Sequence, residues 1–314
     1  MITVCSFLPA ATQMIVDMGL SDHLKGVTFE CPSVAASMPK VVRCVLEGKQ
    51  YSSEEIDRIF SASKAQGKSL YYVDEALLES ISPDIIFTQD VCEVCQIDTA
   101  CTSAAVSRLA RQPQLIPLSP QTLDDVFSKA VIIARALGRE EVAYTYLAGL
   151  QQHTSQILDV LRGARMPLRR VSLLEWMDPI YNCGHWIPFQ IAQAGGVDML
   201  SNPGGDSIVT AWEKIVRYDP ECLVIAPCGF ETKRSMEEIH LLRQKEGWSS
   251  LQAVQRGRVF LVDFALFTQP SAGTLVDGIR LLAALFHPDL FSVPDHLQHT
   301  FKRVLQPVPQ TVPL

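Results

Sequence analysis

Residues 73–95 read VDEALLESISPDIIFTQDVCEVC, and this stretch decides the fold class. The pattern predicts a short helix, a Pro83-Asp84 turn, and an apolar run at 85–87 that is typical of a buried strand. Polar residues and two cysteines follow the strand directly, where open α/β sheets place their ligands. Strand and helix patterns also alternate upstream, beginning with the strand ITVCSFL at 2–8. This alternation predicts a parallel, doubly wound α/β sheet.

The middle of the chain is helical. Residues 122–138 form one amphipathic helical pattern, and residues 140–163 form a second of about two dozen residues. Strand and helix patterns then alternate again. We therefore expect two doubly wound α/β lobes joined by one long helix, with a ligand cleft between the lobes. The predicted segments are an N-terminal lobe at 1–139, the helix at 140–163, a C-terminal lobe at 164–290 and a Pro-rich C-terminal tail at 291–314.

Composition excludes several classes of protein. The net charge of −7 argues against a nucleic-acid-binding protein, which needs a basic face. No apolar run approaches the roughly 20 residues of a membrane span, so the protein is not expected to be embedded in a membrane. Nine cysteines, an odd and scattered set, do not suggest a disulfide framework. With no leader pattern at the start, these features predict a cytoplasmic protein, or a periplasmic or extracellular one if a leader has been removed.

Several strings along the chain resemble one family, the substrate-binding proteins of ABC importers for cobalamin and iron chelates. The strings, which span about residues 2–290, are SFLPAATQMIVDMGL (6–20), LESISPDIIFTQD (78–90), LLEWMDPIYNCGHWIPFQIAQAGGVDML (173–200), AWEKIVRYDPECLVIAPCGF (211–230), WSSLQAVQRGRVFLVD (248–263) and LVDGIRLLAALFHP (275–288). The resemblance implies a class III periplasmic-binding-protein-like fold. It also implies a metal-chelate ligand such as cobalamin, and ABC importer subunits as partners if the protein is exported.

The chain departs from the family pattern at two places. Phe189 and Gln190 follow Pro188 where the family has Trp-x-Pro-Glu, so a carboxylate is replaced. The run 268–271, Thr-Gln-Pro-Ser, stands where an Arg-Pro-Gly type of turn is expected. Glu213 matches the position at which related receptors present a carboxylate to the importer. The identity of the ligand is therefore left open by the sequence.

The Cys92-x-x-Cys95 pair has three interpretations. The two thiolates could bind zinc or iron together with His185, although a structural zinc site normally needs four ligands. Further thiols near predicted strand ends are Cys31, Cys101, Cys183 and Cys228. A redox pair would need a helix N-terminus to lower the thiol pKa, and the intervening Glu93 opposes thiolate formation. The third interpretation is that the two cysteines pack in the cleft wall.

Aromatic and polar residues near predicted strand ends are the candidates for ligand contact. Trp176 and Trp186 offer flat faces that suit a planar macrocycle, and Phe264 could add apolar lining. The start of the first helix offers backbone N–H groups to an anionic part of a ligand. The expected ligand-binding residues are Pro9, Ala11, Thr12, Gln89, Asp90, Glu93, Glu175, Trp176, Asp178, His185, Trp186, Phe230 and Phe267.

The favoured function is a carrier or sensor of a small molecule, such as a metal chelate or a corrinoid-like ligand. One alternative is a cytosolic enzyme that is metal-dependent or uses carboxylates among Asp90, Glu93, Glu175 and Asp178 for acid–base chemistry. Another alternative is a metal-binding protein that uses Cys92, Cys95 and His185. Hydrolase, phosphate-loop and metalloprotease motifs are not found in the sequence, so no catalytic residue is assigned.

Overall fold

The computed structural model describes residues 1–49, 51–66, 69–89, 102 and 105–305. They form two compact units. Unit 1 comprises Met1–Pro120, Asp124–Gly149 and Pro270–Gly273, and unit 2 comprises Gln121–Leu123, Leu150–Gln269 and the chain from Thr274 onward. Among the described helices, none is long and apolar enough to cross a membrane.

Unit 1 contains a sheet of six described strands with helices in the connections. The strands are β1 Val4–Ser6, β2 Leu24–Thr28, β3 Lys40–Cys44, β4 Tyr71–Val73, β5 Ile85–Thr88 and β6 Gln114–Pro117. The helices are α1 Pro9–Asp17, α2 Ser53–Ala65, α3 Glu75–Ile81, α4 Leu123–Ala136 and α5 Glu140–Gly163. The long helix α5 confirms the helical prediction for 140–163, and the division between the two units falls inside it, after Gly149.

The strand order in unit 1 is β4-β3-β2-β1-β5-β6. Every pairing is parallel except that of β4, which runs antiparallel to β3, so the expectation of a parallel sheet is wrong at this edge. An edge strand pairs on one side only, and antiparallel addition at an edge is common in such sheets. The chain leaves β1 toward β2 on one side and leaves β5 toward β6 on the other. The direction of winding therefore reverses between β1 and β5.

Local hydrogen bonds fix the start and end of α3 and the start of β5. The carboxylate of Asp74 caps α3 by accepting a hydrogen bond from the Leu77 N–H at 3.0 Å. Ser82 ends the helix in the left-handed conformation, with φ of 47°. The Asp84 carboxylate then accepts hydrogen bonds from the backbone N–H of Thr3 (2.8 Å) and from its hydroxyl (2.9 Å). These contacts align the starts of β5 and β1.

Unit 2 contains a larger mixed sheet. The strands of unit 2 are β7 Arg169–Met177, β8 Ile180–Asn182, β9 Gly184–His185, β10 Gly196–Val197, β11 Asn202–Pro203, β12 Ile208–Val209, β13 Cys222–Ile225, β14 Val259–Val262 and β15 Phe301–Arg303. Of these, β9 and β11 pair with each other in a separate two-stranded sheet. Its helices are α6 Ile187–Gln193, α7 Trp212–Tyr218, α8 Thr232–Glu238, α9 His240–Arg243, α10 Gln252–Gln255, α11 Ala265–Thr268 and α12 Ala272–Phe286, the last beginning in unit 1.

The order of the main sheet is β12-β8-β7-β13-β14-β15, and β10 also pairs with β7. The central strands β7, β13 and β14 are parallel, as predicted. Strands β8, β12 and β15 add antiparallel pairings that the sequence analysis did not predict. Strand β15 lies in the segment that was expected to be a tail, whereas residues 306–314 lie outside the described residues.

A buried carboxylate joins the strands of unit 2. Asp198 Oδ2 accepts hydrogen bonds from the Leu173 N–H of β7 at 2.9 Å and from the Asn182 side-chain amide of β8 at 3.1 Å. Its Oδ1 accepts a hydrogen bond from the Leu200 N–H at 2.9 Å. Burial raises the pKa of Asp198 from 3.8 to about 6, and the hydrogen bonds only partly oppose this shift. One side chain thus holds β7, β8 and the turn after β10 together.

In unit 1, the hydroxyl of Tyr146 joins α1 to the start of α12. The Tyr146 hydroxyl donates a hydrogen bond to Asp17 Oδ2 at 3.0 Å and accepts one from the Gly273 N–H at 2.7 Å. A β-carbon at Gly273 would lie 2.8 Å from the Tyr146 hydroxyl oxygen and 2.9 Å from Asp17 Oδ2. Only glycine fits there without displacing one of these partners.

The raised pKa of Asp198 makes the stability of the protein depend on pH. Because the folded state binds this proton more tightly than the unfolded chain, the contribution to stability is full below pH 3.8 and is lost as the pH rises to about 6. We expect the unfolding free energy of the wild type, relative to Asp198→Asn, to fall by about 2–3 kcal/mol between pH 4 and 7. Denaturant unfolding at several pH values measures it, with the exposed Asp289→Asn as the control. A difference that does not change with pH would contradict the assignment.

The crowding at Gly273 is tested by comparing two helical glycines. A β-carbon at Gly149 in α5 would meet nothing within 4 Å, so Gly149→Ala is expected to stabilise the protein by up to about 1 kcal/mol through helix propensity. Gly273→Ala is expected to destabilise it by about 1–3 kcal/mol, because the added β-carbon displaces the Tyr146 hydroxyl from its partly buried hydrogen bond with the Gly273 N–H. Thermal unfolding measures both changes. Equal stabilisation by the two substitutions would show that the Tyr146 contact does not restrict this position.

Candidate functional site

The candidate site in unit 1 lies where the direction of winding reverses. A surface depression there is lined by residues that follow β1, β5 and β6, together with one residue of α4 and one that precedes α12. They are Leu8, Ala10, Ala11, Met14, Gln89, Leu118, Pro120, Lys129 and Pro270. The carboxyl ends of strands at such a reversal are the usual ligand site of open α/β sheets. Two of the predicted residues, Ala11 and Gln89, line this depression.

Two other predicted residues of α1 are buried. Pro9 occupies the first turn of the helix, where its fixed φ and missing N–H cost nothing. Thr12 is fully buried, and its hydroxyl oxygen accepts a hydrogen bond from the Cys31 thiol at 3.1 Å. Burial raises the pKa of Cys31, so this thiol stays protonated as the donor. Thr12 is therefore a buried residue that stabilises the first turns of α1.

Five predicted residues cannot be placed. Asp90, Cys92, Glu93, Cys95 and Cys101 lie outside the described residues, directly after β5. The hypotheses of a metal clamp, a redox pair and a packed loop all remain predictions.

The candidate site in unit 2 depends on an irregularity in β7. Leu174 of β7 pairs with Asn182 of β8, and Trp176 pairs with Tyr181. The step from one pair to the next is two residues in β7 but only one residue in β8. Such a β-bulge reverses the alternation of side chains along the strand. Leu174 and the next pair, Met177 and Ile180, pack in the core of unit 2. Trp176 and Tyr181 are therefore turned to the other face of the sheet.

That other face extends to the sheet edge. Val209 of β12 is paired with Tyr181, which is paired in turn with Trp176, so three side chains lie side by side across three strands. Trp176 and Tyr181 are partly exposed, and Val209 is 60% exposed. We call these three residues the outer row.

A chain of aromatic and cationic contacts continues from the outer row. The Trp176 ring lies 5.1 Å from the ring of Phe230, which follows β13 and is buried. The guanidinium of Arg234 covers the Phe230 ring at 3.8 Å, a cation–π distance, and its Nε lies 3.8 Å from the Glu238 carboxylate. The Trp176 indole N–H donates a hydrogen bond to the Asp178 carbonyl oxygen at 3.1 Å, which fixes the ring.

Carboxylates lie beside the outer row. Glu175, at the bulge, is 9% exposed and accepts a hydrogen bond from the Ser207 hydroxyl. This contact joins β7 to the residue that precedes β12. Asp178 is exposed in the turn after β7, and it begins a cis peptide bond to Pro179. Of the residues predicted in this unit, the structure thus brings Glu175, Trp176, Asp178 and Phe230 together.

The backbone of the neighbouring loop, residues 205–207, packs closely against the Gly184-His185 turn. A β-carbon at Gly184 would lie 2.5 Å from the Gly205 carbonyl oxygen, so glycine is required there. His185 has a φ of 50°, and its Nε2 lies 3.9 Å from Asp206. Burial lowers the pKa of His185 and the Asp206 charge opposes that shift, while Nδ1 has no hydrogen-bond partner among the described residues. The imidazole is therefore favoured in its neutral form.

Two of the predicted aromatic residues are interior. Trp186 is 8% exposed, and its indole N–H donates a hydrogen bond to the Phe267 carbonyl oxygen at 2.6 Å. The Phe267 side chain is fully buried. Neither side chain offers an open face to a ligand in this conformation. The hydrogen bond between them instead stabilises α11.

The departure from the family pattern at Gln190 has a structural explanation. The side-chain amide donates hydrogen bonds to the carbonyl oxygens of Leu266 (3.0 Å) and Leu275 (2.8 Å). A carboxylate at this position could not donate to either oxygen. Phe189, the other residue of the departure, is 37% exposed. Gln190 therefore stabilises the junction of α6, α11 and α12.

The described residues do not bring three His, Cys, Asp or Glu side chains close enough to hold a metal ion. Cys183 is fully buried, and burial with the nearby Asp198 raises the pKa of its thiol. Cys5, Cys31, Cys44, Cys183 and Cys222 are free thiols. A zinc or iron site that includes Cys92, Cys95 and His185 remains a prediction.

The sequence analysis missed three residues of the site, namely Tyr181, Ser207 and Val209. Asp178-Pro179 between two apolar runs is a turn signal that indicates a β-hairpin. That signal could have placed Tyr181 opposite Trp176. The bulge, which decides the face on which Trp176 lies, has no comparable sequence signal.

Known proteins resemble the chain in sequence and in fold. Residues 74–266 match the model of the family described as periplasmic binding protein. A relative from Bacillus subtilis (strain 168), named as an uncharacterized ABC transporter substrate-binding lipoprotein, YvrC, is 22% identical over 297 residues, which are 92% of this chain and 81% of that protein.

Solved structures share the fold at low sequence identity. A periplasmic heme-binding protein from Pseudomonas aeruginosa has a TM-score of 0.69 at 18% identity, covering 94% of this chain and 96% of its own. The periplasmic vitamin B12-binding protein BtuF of Vibrio cholerae has a TM-score of 0.61 at 16% identity, covering 91% and 96%. These matches confirm the predicted two-lobe α/β fold and the predicted family. With the family model matching more than half of its length, the chain belongs to the periplasmic binding protein family.

Proposed function

We propose that this protein is the substrate-binding component of an ABC importer and that it binds a planar metal chelate of the porphyrin or corrin type. Family membership and the Bacillus subtilis relative support the role in transport. The names of the similar structures, which include heme-binding and vitamin B12-binding proteins, support the class of ligand. Cobalamin stays one candidate within that class.

The observation that carries the proposal is the placement of Trp176. A bulge turns this ring away from the core of unit 2, and Phe230 packs against it at 5.1 Å. An aromatic side chain is normally buried for its large apolar area, so a ring held partly exposed at a strand end indicates a binding surface. A flat ligand gains buried area on such a ring without ordering a flexible side chain.

The predicted residues take different roles in this proposal. Trp176 and Asp178 contact the ligand, while Phe230 and Glu175 hold the contact surface in place. His185 supplies a neutral imidazole near the same strands. Trp186 and Phe267 act as internal supports. In unit 1, Ala11 and Gln89 line the depression, and Pro9 and Thr12 support the start of α1 beside it.

The proposed partners are the membrane subunits of an ABC importer. Glu213 is exposed on α7, which suits a contact with such a subunit. The prediction of a cytoplasmic protein finds no support, because the matched family is periplasmic and the Bacillus subtilis relative is named a lipoprotein. We accordingly propose an exported location.

The alternative of an enzyme makes a different prediction. In that case removal of Glu175 or Asp178 would abolish turnover, whereas removal of Trp176 would mainly weaken substrate binding. The outward placement of Trp176 supports the binding function over this alternative.

The proposal is tested by replacing Trp176 with alanine. We expect affinity for the chelate that binds, hemin or cyanocobalamin, to fall by about 30- to 700-fold, since truncation of a central aromatic contact costs about 2–4 kcal/mol. Absorbance titration and calorimetry measure the dissociation constants. Tyr72→Ala, which removes a 49% exposed ring from the edge strand β4 of unit 1, is the matched control and should leave affinity unchanged.

Two results would contradict the proposal. One is the failure of both hemin and cyanocobalamin to bind saturably at micromolar concentration. The other is equal affinity in the wild type and in Trp176→Ala.

A further inference from the structure

The amino ends of the parallel strands of unit 2 lie at an edge of the sheet that the candidate site does not use. Near the start of β7, the carbonyl oxygen of Arg170 accepts a hydrogen bond at 2.8 Å from the N–H of Glu221, which precedes β13. Arg258 precedes β14, and its carbonyl oxygen accepts a hydrogen bond at 3.0 Å from the Leu223 N–H of β13. Along β7, Arg170 is roughly 20 Å from Trp176. The edge is therefore a surface separate from the candidate site.

Arginines gather at this edge. The carboxylate of Glu221 is shared by Arg169 at 3.3 Å and by Arg256 at 3.9 Å. Burial raises the pKa of the Cys222 thiol, and the positive charges that oppose this shift are those of Arg258, Arg169 and Arg303. These charges therefore act together at the start of β13. We call the arginines of this edge the basic edge: Arg169, Arg170, Arg243, Arg256, Arg258 and Arg303.

Positive charge exceeds negative charge along the basic edge. Glu221 faces more than one guanidinium, and the carboxylate of Asp219 accepts its hydrogen bonds from the backbone N–H (2.8 Å) and side-chain amide (2.7 Å) of Gln252. Within the part of the chain that the structure describes, four of these guanidiniums form no ion pair, namely those of Arg170, Arg243, Arg258 and Arg303. The chain as a whole has a net charge of −7. A concentrated surface of the opposite sign favours contact with a polyanionic partner.

Exposed leucines flank the basic edge. Leu168, which directly precedes Arg169, is 59% exposed. Leu305, which follows β15, is 70% exposed, and its carbonyl oxygen accepts a hydrogen bond from the Arg243 guanidinium at 3.0 Å. Exposed aliphatic side chains beside cations are typical of surfaces that bind anionic membranes, where the cations contact phosphate groups and the apolar side chains enter the headgroup region. An acidic polypeptide or a nucleic acid would use the arginines alone.

We propose that the basic edge, together with Leu168 and Leu305, docks unit 2 onto a membrane surface that contains anionic phospholipids. The guanidiniums donate hydrogen bonds to lipid phosphates, for which their planar geometry is suited, and the two leucines contact the acyl boundary. The inference goes beyond the proposed function, because it concerns the amino ends of the strands and involves no chelate. Docking at this edge leaves the carboxyl ends of β7 and β13 uncovered.

The first experiment compares two kinds of vesicle with the full chain. One kind is phosphatidylcholine alone, and the other is an equimolar mixture of phosphatidylcholine and the anionic phosphatidylglycerol. We expect the protein to cosediment with the anionic vesicles and not with the neutral ones, although its net charge of −7 would by itself cause repulsion. Raising the salt concentration should release the protein, because salt screens the attraction between guanidiniums and phosphates.

The second experiment removes the cations. The double variant Arg170→Gln/Arg258→Gln should lower the partition coefficient for anionic vesicles by at least about tenfold, because each basic residue near such a surface contributes several-fold. The matched control is Arg108→Gln/Arg111→Gln, which removes the same charge from two exposed arginines of unit 1 and should bind less than twofold more weakly than the wild type. Thermal unfolding checks that both variants are folded.

The third experiment removes apolar contact without changing charge. Leu305→Ser should weaken binding to the anionic vesicles by a few-fold, because an exposed leucine that enters the headgroup region is lost. Val45→Ser, which replaces a 51% exposed side chain of unit 1, is the matched control and should bind as the wild type does. Leu305 lies at the protein surface, so the substitution leaves the core of unit 2 intact.

The outcomes decide the inference independently of the chelate. Salt-sensitive binding to anionic vesicles that is lost in Arg170→Gln/Arg258→Gln and kept in the unit 1 control would support it. No binding to anionic vesicles, or equal binding by the wild type and this double variant, would overturn it. Binding to polyglutamate or to duplex DNA without binding to vesicles would also overturn it, and would assign the basic edge to an acidic macromolecule instead.

Discussion

The buried carboxylate of Asp198 is the interaction on which the candidate site of unit 2 depends. It accepts hydrogen bonds from Leu173 in β7 and from Asn182 in β8, one step before the register of these strands shifts. A carboxylate withdrawn from water is costly, and burial raises the pKa of Asp198 to about 6. The hydrogen bonds of Asp198 fix the relative position of β7 and β8, and these two strands carry Trp176 and Tyr181 of the outer row.

The shift in register links the packing of the core to the binding surface. A regular strand would direct Trp176 to the same face as Leu174, into the core of unit 2. The bulge lets Leu174 and Met177 remain in the core while Trp176 turns outward. In unit 1 the winding direction of the sheet reverses between β1 and β5. This reversal leaves a depression at the strand ends, which Ala11 and Gln89 line. Each unit thus places its candidate residues at the carboxyl ends of parallel strands.

The sequence predicts the elements of the core better than the site. The strands β1, β5, β7, β13 and β14 and the long helix α5 have strong hydrophobic periodicity, and all are found where they were predicted. Short strands such as β8 and β12 are missed, since two or three residues carry too little pattern. The roles of the two tryptophans could not be told apart, because exposure depends on register and on the partner of the indole N–H: Asp178 for Trp176, Phe267 for Trp186.

Amide hydrogen exchange of the full chain, with and without a saturating chelate, tests the central claim most directly. The claim is that a flat ligand lies on the face that the bulge exposes. The account predicts slower exchange at residues 174–182 and 207–210 when the ligand is bound, since covering these short strands reduces their local opening. The strands β14 and β15, on the far side of the same sheet, should be unchanged. Saturable binding with no slowing of exchange in the β7–β8–β12 region would contradict the account.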